Sequence, residues 1–313
     1  MKKIKKILLI NIAAVLFLFG ISELVSFFYF KNYVEKLYSA NTDIDKPSIK
    51  FKYSKVNIFN QDNFEYRPVY KGTKNHSILF TGSSYTYGIG VPLDKSLPYQ
   101  IGELTGAYTI NRGVPGGGMY NMLYDLENPK LYEIFQYIPY PKYIVYIHIN
   151  AHMSKLANPY RVFAPDGSDL EVLIPYEEKD GKFIKKPPSK FQLFLYNLYT
   201  ARVYYEFLAP ELNQKKDERK AFKLLKAMKK ITDEKFSESK FIILLYKDTG
   251  LVTMSRKLQK KLKKAGFIVL DAEKLAGHEL ETQKWRCSDG EHPSIEAVRD
   301  TALGLAEKLH SLN

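Results

Sequence analysis

Apolar and polar positions alternate along this chain on two periods. Short apolar runs end in glycine or a polar residue at Ser77 to Thr81, Tyr143 to His148, Phe241 to Tyr246 and Phe267 to Leu270, with Tyr108 to Asn111 as a briefer fifth. Runs of that length suit strands buried on both faces. Between them lie stretches of helical period: Pro98 to Thr105, Met119 to Phe135, Lys215 to Phe236, Arg256 to Ala265 and Ser294 to Leu312. Strands alternating with helices predict βαβ units and a parallel sheet covered by helices on both sides. One region departs from this alternation. Arg161 to Lys186 reads as three short strands turning at Pro165-Asp166-Gly167 and Lys179-Asp180-Gly181, an inserted β-meander (about residues 158–190) that could serve as a lid. Pro187-Pro188 closes it, and Phe191 to Leu208 resumes as an aromatic-rich helix.

The N-terminal pattern is different. Lys2, Lys3, Lys5 and Lys6 precede Ile7 to Phe30, which is apolar except for Asn11, Ser22, Glu23 and Ser26. At about 1.5 Å per residue this stretch exceeds a hydrocarbon core of about 30 Å. The lysines ahead of it place the N-terminus in the cytoplasm and the remainder outside, an asymmetry that Lys31 and Lys36 soften. A cleaved signal peptide would have a shorter apolar region followed by a small-residue site; Ala13-Ala14 falls too early for that and Tyr38-Ser39-Ala40 late. The expectation is an uncleaved signal anchor in residues 1–30, a juxtamembrane tether over 31–75, and a single domain over 76–313.

Composition changes this picture little. Apolar residues make up 45% and charged residues 26% of 313 positions, which is ordinary for a globular protein. The formal charge of +13 suggests a nucleic-acid partner at first sight. However, the excess collects in Lys215 to Lys235 and Arg256 to Lys264, where Leu and Phe recur at helical spacing among the lysines. Those read as solvated faces of amphipathic helices, with an anionic membrane or polymer as the alternative, and no nucleic-acid-binding signature accompanies them. Cys287 is the only cysteine, which excludes an intramolecular disulfide, and it reads as a packed thiol.

The candidate chemistry lies in loops at strand and helix junctions, where open α/β sheets carry their ligands. These are Gly82-Ser83-Ser84-Tyr85-Thr86-Tyr87-Gly88, Asn111-Arg112-Gly113-Val114-Pro115-Gly116, His148-Ile149-Asn150-Ala151 and Asp289-Gly290-Glu291-His292-Pro293. Serine, histidine and aspartate are a nucleophile, a base and the carboxylate that orients the base. The first loop is neither the Gly-x-Ser-x-Gly elbow of α/β-hydrolases, since Thr86 stands at the second glycine, nor a P-loop. His148 and His152 show no metal-ligand signature.

In this order and spacing the blocks resemble the SGNH (GDSL-type) serine hydrolase family from about Ser77 to Leu309, the inserted meander excepted. The resemblance implies a flavodoxin-like three-layer α/β/α sandwich. It implies Ser84 as nucleophile with His292 and Asp289 completing a triad, and an oxyanion hole from Ser84, Gly116 (Gly113 as second choice) and Asn150, with no cofactor and no metal. Ser83, His148 and Ala151 stand where the family has Asp, Gly and a second Asp. None of the three is a triad or oxyanion position, so these departures bear on loop geometry and substrate choice. The expected function is an extracytoplasmic, membrane-anchored esterase removing small acyl groups, acetyl among them, from a carbohydrate such as a surface polysaccharide or from a lipid-like substrate. Acyl transfer to an exported glycan with the same triad, and a non-catalytic glycan- or partner-binding module, are the alternatives.

Overall fold

The computed structural model describes residues 12, 14–29, 57–58, 65–68, 70–156, 160–162, 170–172, 176–180, 182–248, 252–280 and 282–312. Five parallel strands form the centre: β1 (Ser77–Gly82), β2 (Tyr108–Gly113), β3 (Pro141–His148), β4 (Lys240–Leu245) and β5 (Ile268–Asp271). Their order across the sheet is β2-β1-β3-β4-β5, every neighbouring pair parallel. This is the flavodoxin-like order, and its topological switch lies between β1 and β3.

The three inner strands, β1, β3 and β4, are apolar on both faces, and successive side chains still go to opposite sides. Leu79, Ile144, Tyr146 and Ile243 enter one core with α3 (Met119–Glu127), α7 (Ala209–Lys235) and α8 (Arg256–Lys264). Ile78, Phe80, Val145, Ile147 and Leu244 enter the other with α2 (Leu97–Thr105), α9 (Ala272–Ala276) and α10 (Ile295–Ser311). Helices on both faces give three layers, as the alternation predicts. Serine caps fix where several begin: Ser255 Oγ accepts from Leu258 N and Ser294 Oγ from Ala297 N. Two further short helices, α1 (Ser84–Tyr87) and α4 (Ala151–Ser154), follow β1 and β3 directly.

Three expectations change in detail. The helix expected over 119–135 is broken after Glu127, because Asn128 caps a separate turn, Pro129–Glu133, and Pro129 cannot continue the first helix. The aromatic stretch is not one helix but α5 (Lys190–Tyr196), α6 (Tyr199–Val203) and a π-helical turn, Tyr204–Leu208, running into α7. The insertion is not a three-stranded meander. Tyr160–Val162 pairs antiparallel with Leu170–Val172, and Tyr176–Lys179 pairs separately with Lys182–Lys185 around Asp180 at φ +52°. Leu170–Val172 takes Asn57–Ile58 as its other neighbour, so part of the tether lies against the insertion. The turn expected at 165–167 lies outside the described residues.

Nearer the domain the tether is packed down. Tyr70 bridges Thr109, the Tyr66 ring lies 3.3 Å from the Arg112 guanidinium carbon, and Arg112 is ion-paired with the buried Asp125. At the N-terminus, residues 12 and 14–29 are helical, and the rest of the expected span of 7–30 lies outside the described residues. Among the described residues no helix is long and apolar enough to cross a membrane.

One buried group in α7 conflicts with its surroundings. Asp217 is 4% exposed, and its Oδ2 has no hydrogen-bond partner among the described residues. Burial raises its pKa to about 6 despite Lys220 and Lys216. The folded protein thus holds this proton more tightly than the unfolded chain, whose Asp titrates near 3.9. Ionising Asp217 costs stability that begins near pH 4 and is complete above about 6. Asp217→Asn should therefore raise the melting temperature at pH 7.5, by up to about 3 kcal/mol in stability, and the gain should vanish below about pH 4. Calorimetry at both pH values checks this; a variant no more stable than wild type at pH 7.5 refutes it.

Candidate active site

β1 delivers its last residues to the carboxyl edge of the sheet beside the switch point. Gly82 is required there: a Cβ would lie 2.0 Å from Thr86 Oγ1, so the first turn of α1 folds back directly onto the strand end. Ser84 is the first residue of α1, and its carbonyl accepts from Gly88 and Ile89. Gly113 lets β2 come equally close, since its Cβ would meet Tyr87 N at 2.2 Å and Ser83 O at 2.8 Å. The first two loops are thus packed backbone to backbone.

The Asp289–His292 loop is closed by its own hydrogen bonds. Cys287 N donates to His292 O at 2.7 Å, Gly290 N donates to Cys287 O at 2.9 Å, and Arg286 bridges Pro293. Within it, His292 Nδ1 lies 2.6 Å from Asp289 Oδ2, while Asp289 Oδ1 accepts from the N–H groups of Glu291 and His292, each at 2.9 Å. Burial pushes the Asp289 carboxyl up, but the His292 ring and the two backbone donors outweigh it, so its pKa falls below the usual carboxylate range. The imidazole is thereby held at Nδ1 by an ionised acid, an arrangement that leaves Nε2 able to accept a proton.

This loop faces α1. The His292 ring lies 5.5 Å from the Tyr85 ring, its Cβ would be 3.8 Å from a Cβ at Gly90, and Tyr85 donates its hydroxyl to Glu291 O at 2.7 Å. Ser84 Oγ and His292 make no hydrogen bond with each other; the hydrogen bond of the His292 ring goes to Asp289. Of the expected oxyanion donors, the N–H groups of Ser84 and Gly116 make no hydrogen bond among the described residues. Gly116 has φ +67°, and its carbonyl accepts from Lys155 Nζ at 2.8 Å. Asn150 is 7% exposed and gives one amide hydrogen to Asp248 O at 3.2 Å, keeping the other.

His148 and His152 are set apart from the His292 loop. Tyr146 Oη lies 3.0 Å from His148 Nδ1 and 2.8 Å from His152 Nδ1, and both Nε2 atoms are buried without a partner among the described residues. Burial pushes His148 down to about 3 and His152 well below its ordinary value, so both rings are neutral packing groups. Among the described residues no group of three or more His, Cys, Asp and Glu is placed to hold a metal. Cys287 is half-buried, its thiol lies 3.1 Å from Pro293 O, and burial raises it to about 11, which favours the thiol over the thiolate.

Two residues escaped the sequence reading. Arg286 is 9% exposed; its Nη1 donates to Tyr85 Oη at 2.6 Å and to Glu291 O at 2.5 Å, and its Nη2 to Lys247 O at 3.1 Å. Asp248, just past β4, accepts from Asn150 through its carbonyl and from Ala151 N through Oδ2 at 3.2 Å. A lone arginine or aspartate in a polar loop carries no periodicity and belongs to no motif, so only the fold exposes their roles.

No family model matches the chain, and no curated protein matches it. Solved structures are similar to it at low identity. One is described as a lipolytic protein of the G-D-S-L family from Desulfitobacterium hafniense, at 12% identity over 74% of this chain and 99% of that one, with a TM-score of 0.44. A second is a member of the lipolytic protein G-D-S-L family from Veillonella parvula, at 14% identity over 74% and 97%, TM-score 0.42. A third is an acetyl xylan esterase from the rumen bacterium Butyrivibrio proteoclasticus, at 12% identity over 77% and 65%, TM-score 0.44.

Arg286 holds three loops by planar donors that lysine cannot reproduce. Arg286→Lys should lower the melting temperature by several degrees and expose the His292 loop to faster amide exchange, because two or more buried acceptors lose their donor at about 1–3 kcal/mol each. Unchanged melting and exchange would show that the loops are held by other means.

Proposed function

We propose that this chain is a serine-dependent carboxylic ester hydrolase whose nucleophile is Ser84, whose base is His292 and whose orienting acid is Asp289. The observation that supports it best is the Asp289–His292 pair, 2.6 Å apart, on a loop whose histidine ring lies 5.5 Å from the Tyr85 ring of α1. In this reading Ser84 Oγ attacks the acyl carbonyl as His292 Nε2 takes its proton, and Asp289 stabilises the imidazolium. The N–H groups of Ser84 and Gly116 and the remaining amide hydrogen of Asn150 receive the oxyanion. The departing alcohol takes the proton back from His292. A water activated by the same ring then attacks the acyl-enzyme, releasing the acid and restoring Ser84.

The substrate we propose is a small acyl ester on a carbohydrate or lipid-like carrier outside the cell, with residues 7–30 anchoring the chain. The location is carried by Lys2, Lys3, Lys5 and Lys6 ahead of a long apolar stretch.

A fluorophosphonate probe should label the folded wild type at Ser84 and should fail to label Ser84→Ala. With a chromogenic acetyl ester, Asn150→Ala should lose about 10²–10³ in kcat while Ser84→Ala loses more. Folded wild type that takes up no probe at Ser84 sinks the enzyme reading and leaves a binding module. Acyl appearing on an added acceptor sugar in excess of free acid would instead make the protein a transferase.

A further inference from the structure

Large apolar side chains exposed on the surface are concentrated in two stretches that touch each other. One is the helix over 14–29, where Leu16, Phe17, Leu24 and Phe28 are each more than half exposed. The other runs from α5 to the start of α7, where Phe191 is 68% exposed, Phe194 61%, Leu208 51% and Leu212 74%. They are joined by Glu23, the acid within the apolar run. Its carboxylate accepts from Thr200 N at 3.0 Å and Thr200 Oγ1 at 2.9 Å, and also from Tyr199 N. The Phe27 ring meets Tyr199 edge-on at 4.9 Å. The only acidic group of the anchor stretch is therefore satisfied by the domain rather than by water.

Further along α7 the same helical face changes character. Leu208, Leu212, Lys215 and Arg219 follow one another at spacings that keep them on one side of a helix. Beyond Leu212 this side opens into a groove of about 430 Å³ between α7 and α8, lined by Lys215, Arg219, Lys223, Lys257 and Lys261 against a single acid, Glu218. Glu218 is occupied by Ser255 N, and Lys223 is paired with Glu178. Lys215, Arg219 and Lys257 make no ion pair among the described residues, and Lys261 lies over the Phe222 ring. From Leu212 to Arg219 the axis advances about 10 Å. That is comparable with a headgroup layer of about 5–8 Å on each side of a bilayer core.

We propose that residues 190–212 lie in the surface of an anionic lipid bilayer beside the helix over 14–29, with Lys215, Arg219, Lys257 and Lys261 at the level of the lipid phosphates. The proposal rests on the reading of residues 7–30 as a membrane anchor and adds a second contact that fixes how the domain sits. An apolar surface rimmed by cations is the pattern of an interfacial segment, whose long basic side chains reach the headgroups while the apolar residues enter the acyl boundary. Lipid suits this surface better than a protein partner, because it continues an apolar helix and gives way to cations along one helix face. Each cation near an anionic surface strengthens the attraction about fivefold.

The test uses the full chain in vesicles of phosphatidylcholine with brominated acyl chains, with and without phosphatidylglycerol. Tryptophan is introduced singly as Phe17→Trp, Phe194→Trp, Leu212→Trp or Tyr137→Trp, and wild type, whose single tryptophan is Trp285, supplies the baseline. Bromine should quench the probes at 17, 194 and 212 and leave that at 137 at the baseline. Quenching at 17 alone overturns the proposal and leaves the anchor standing; quenching at none of the positions removes both. Adding Lys215→Glu with Arg219→Glu should halve the quenching at 212 or reduce it further in phosphatidylglycerol vesicles only. No difference between the lipid mixtures overturns the placement of the cations at the phosphates.

Discussion

The arrangement of the site depends on one buried cation. The Arg286 guanidinium is removed from water and has no ion pair among the described residues; its two Nη groups donate to the Tyr85 hydroxyl and to the carbonyls of Glu291 and Lys247, while the buried Nε finds no partner among the described residues. Burying a charge without a carboxylate partner is expensive, and it persists only where oriented oxygens replace the lost hydration. Here those oxygens come from three loops that the chain keeps far apart: the one after β1, the one after β4 and the one before α10. Tyr85 adds a bond of its own to Glu291 O, so the Ser84 helix and the His292 loop are tied twice. Burial raises the Tyr85 hydroxyl well above its ordinary range, which keeps it a donor at any working pH.

The loop after β4 carries a second tie. Lys247 O receives Arg286, and the next residue, Asp248, holds Asn150 through its carbonyl and Ala151 through its carboxylate. Two adjacent residues therefore couple the His292 loop to the start of α4. Neighbouring acids feel this closeness as well. Burial raises Glu291, and Asp289 and Asp248 raise it further, while the His292 ring and, after it, the two backbone donors hold the Asp289 carboxyl below the usual range.

Much of this was legible in the residues. The three inner strands appear as apolar runs because both faces of a parallel sheet are covered, and the helices show their period because one face is wet. The Asp289-to-His292 spacing suffices for a local pair, since a short loop closed by Gly290 at φ +71° brings the side chains together without help from elsewhere. What stayed hidden depends on contacts distant in sequence. Arg286 and Asp248 look like solvent-facing loop residues until the sheet order places their loops side by side. The hairpins at 176–185 pair separately from 160–172 because strands so short show turns but not partners.

Asn150 shows how the hidden contacts bear on chemistry. An asparagine at the end of a strand is free to cap its own turn, yet this one makes no side-chain cap and instead spends one amide hydrogen on Asp248 O. The orientation of its side chain is consequently set by the β4 loop. An amide held this way keeps its second hydrogen for another acceptor, which is what the proposed oxyanion role requires. Its neighbours in the loop are held as well: the His148 ring packs with Tyr146 and His152, and the Ala151 N–H donates to the Asp248 carboxylate. Asp248 thus holds the Asn150 side chain through its carbonyl and the following peptide through its carboxylate.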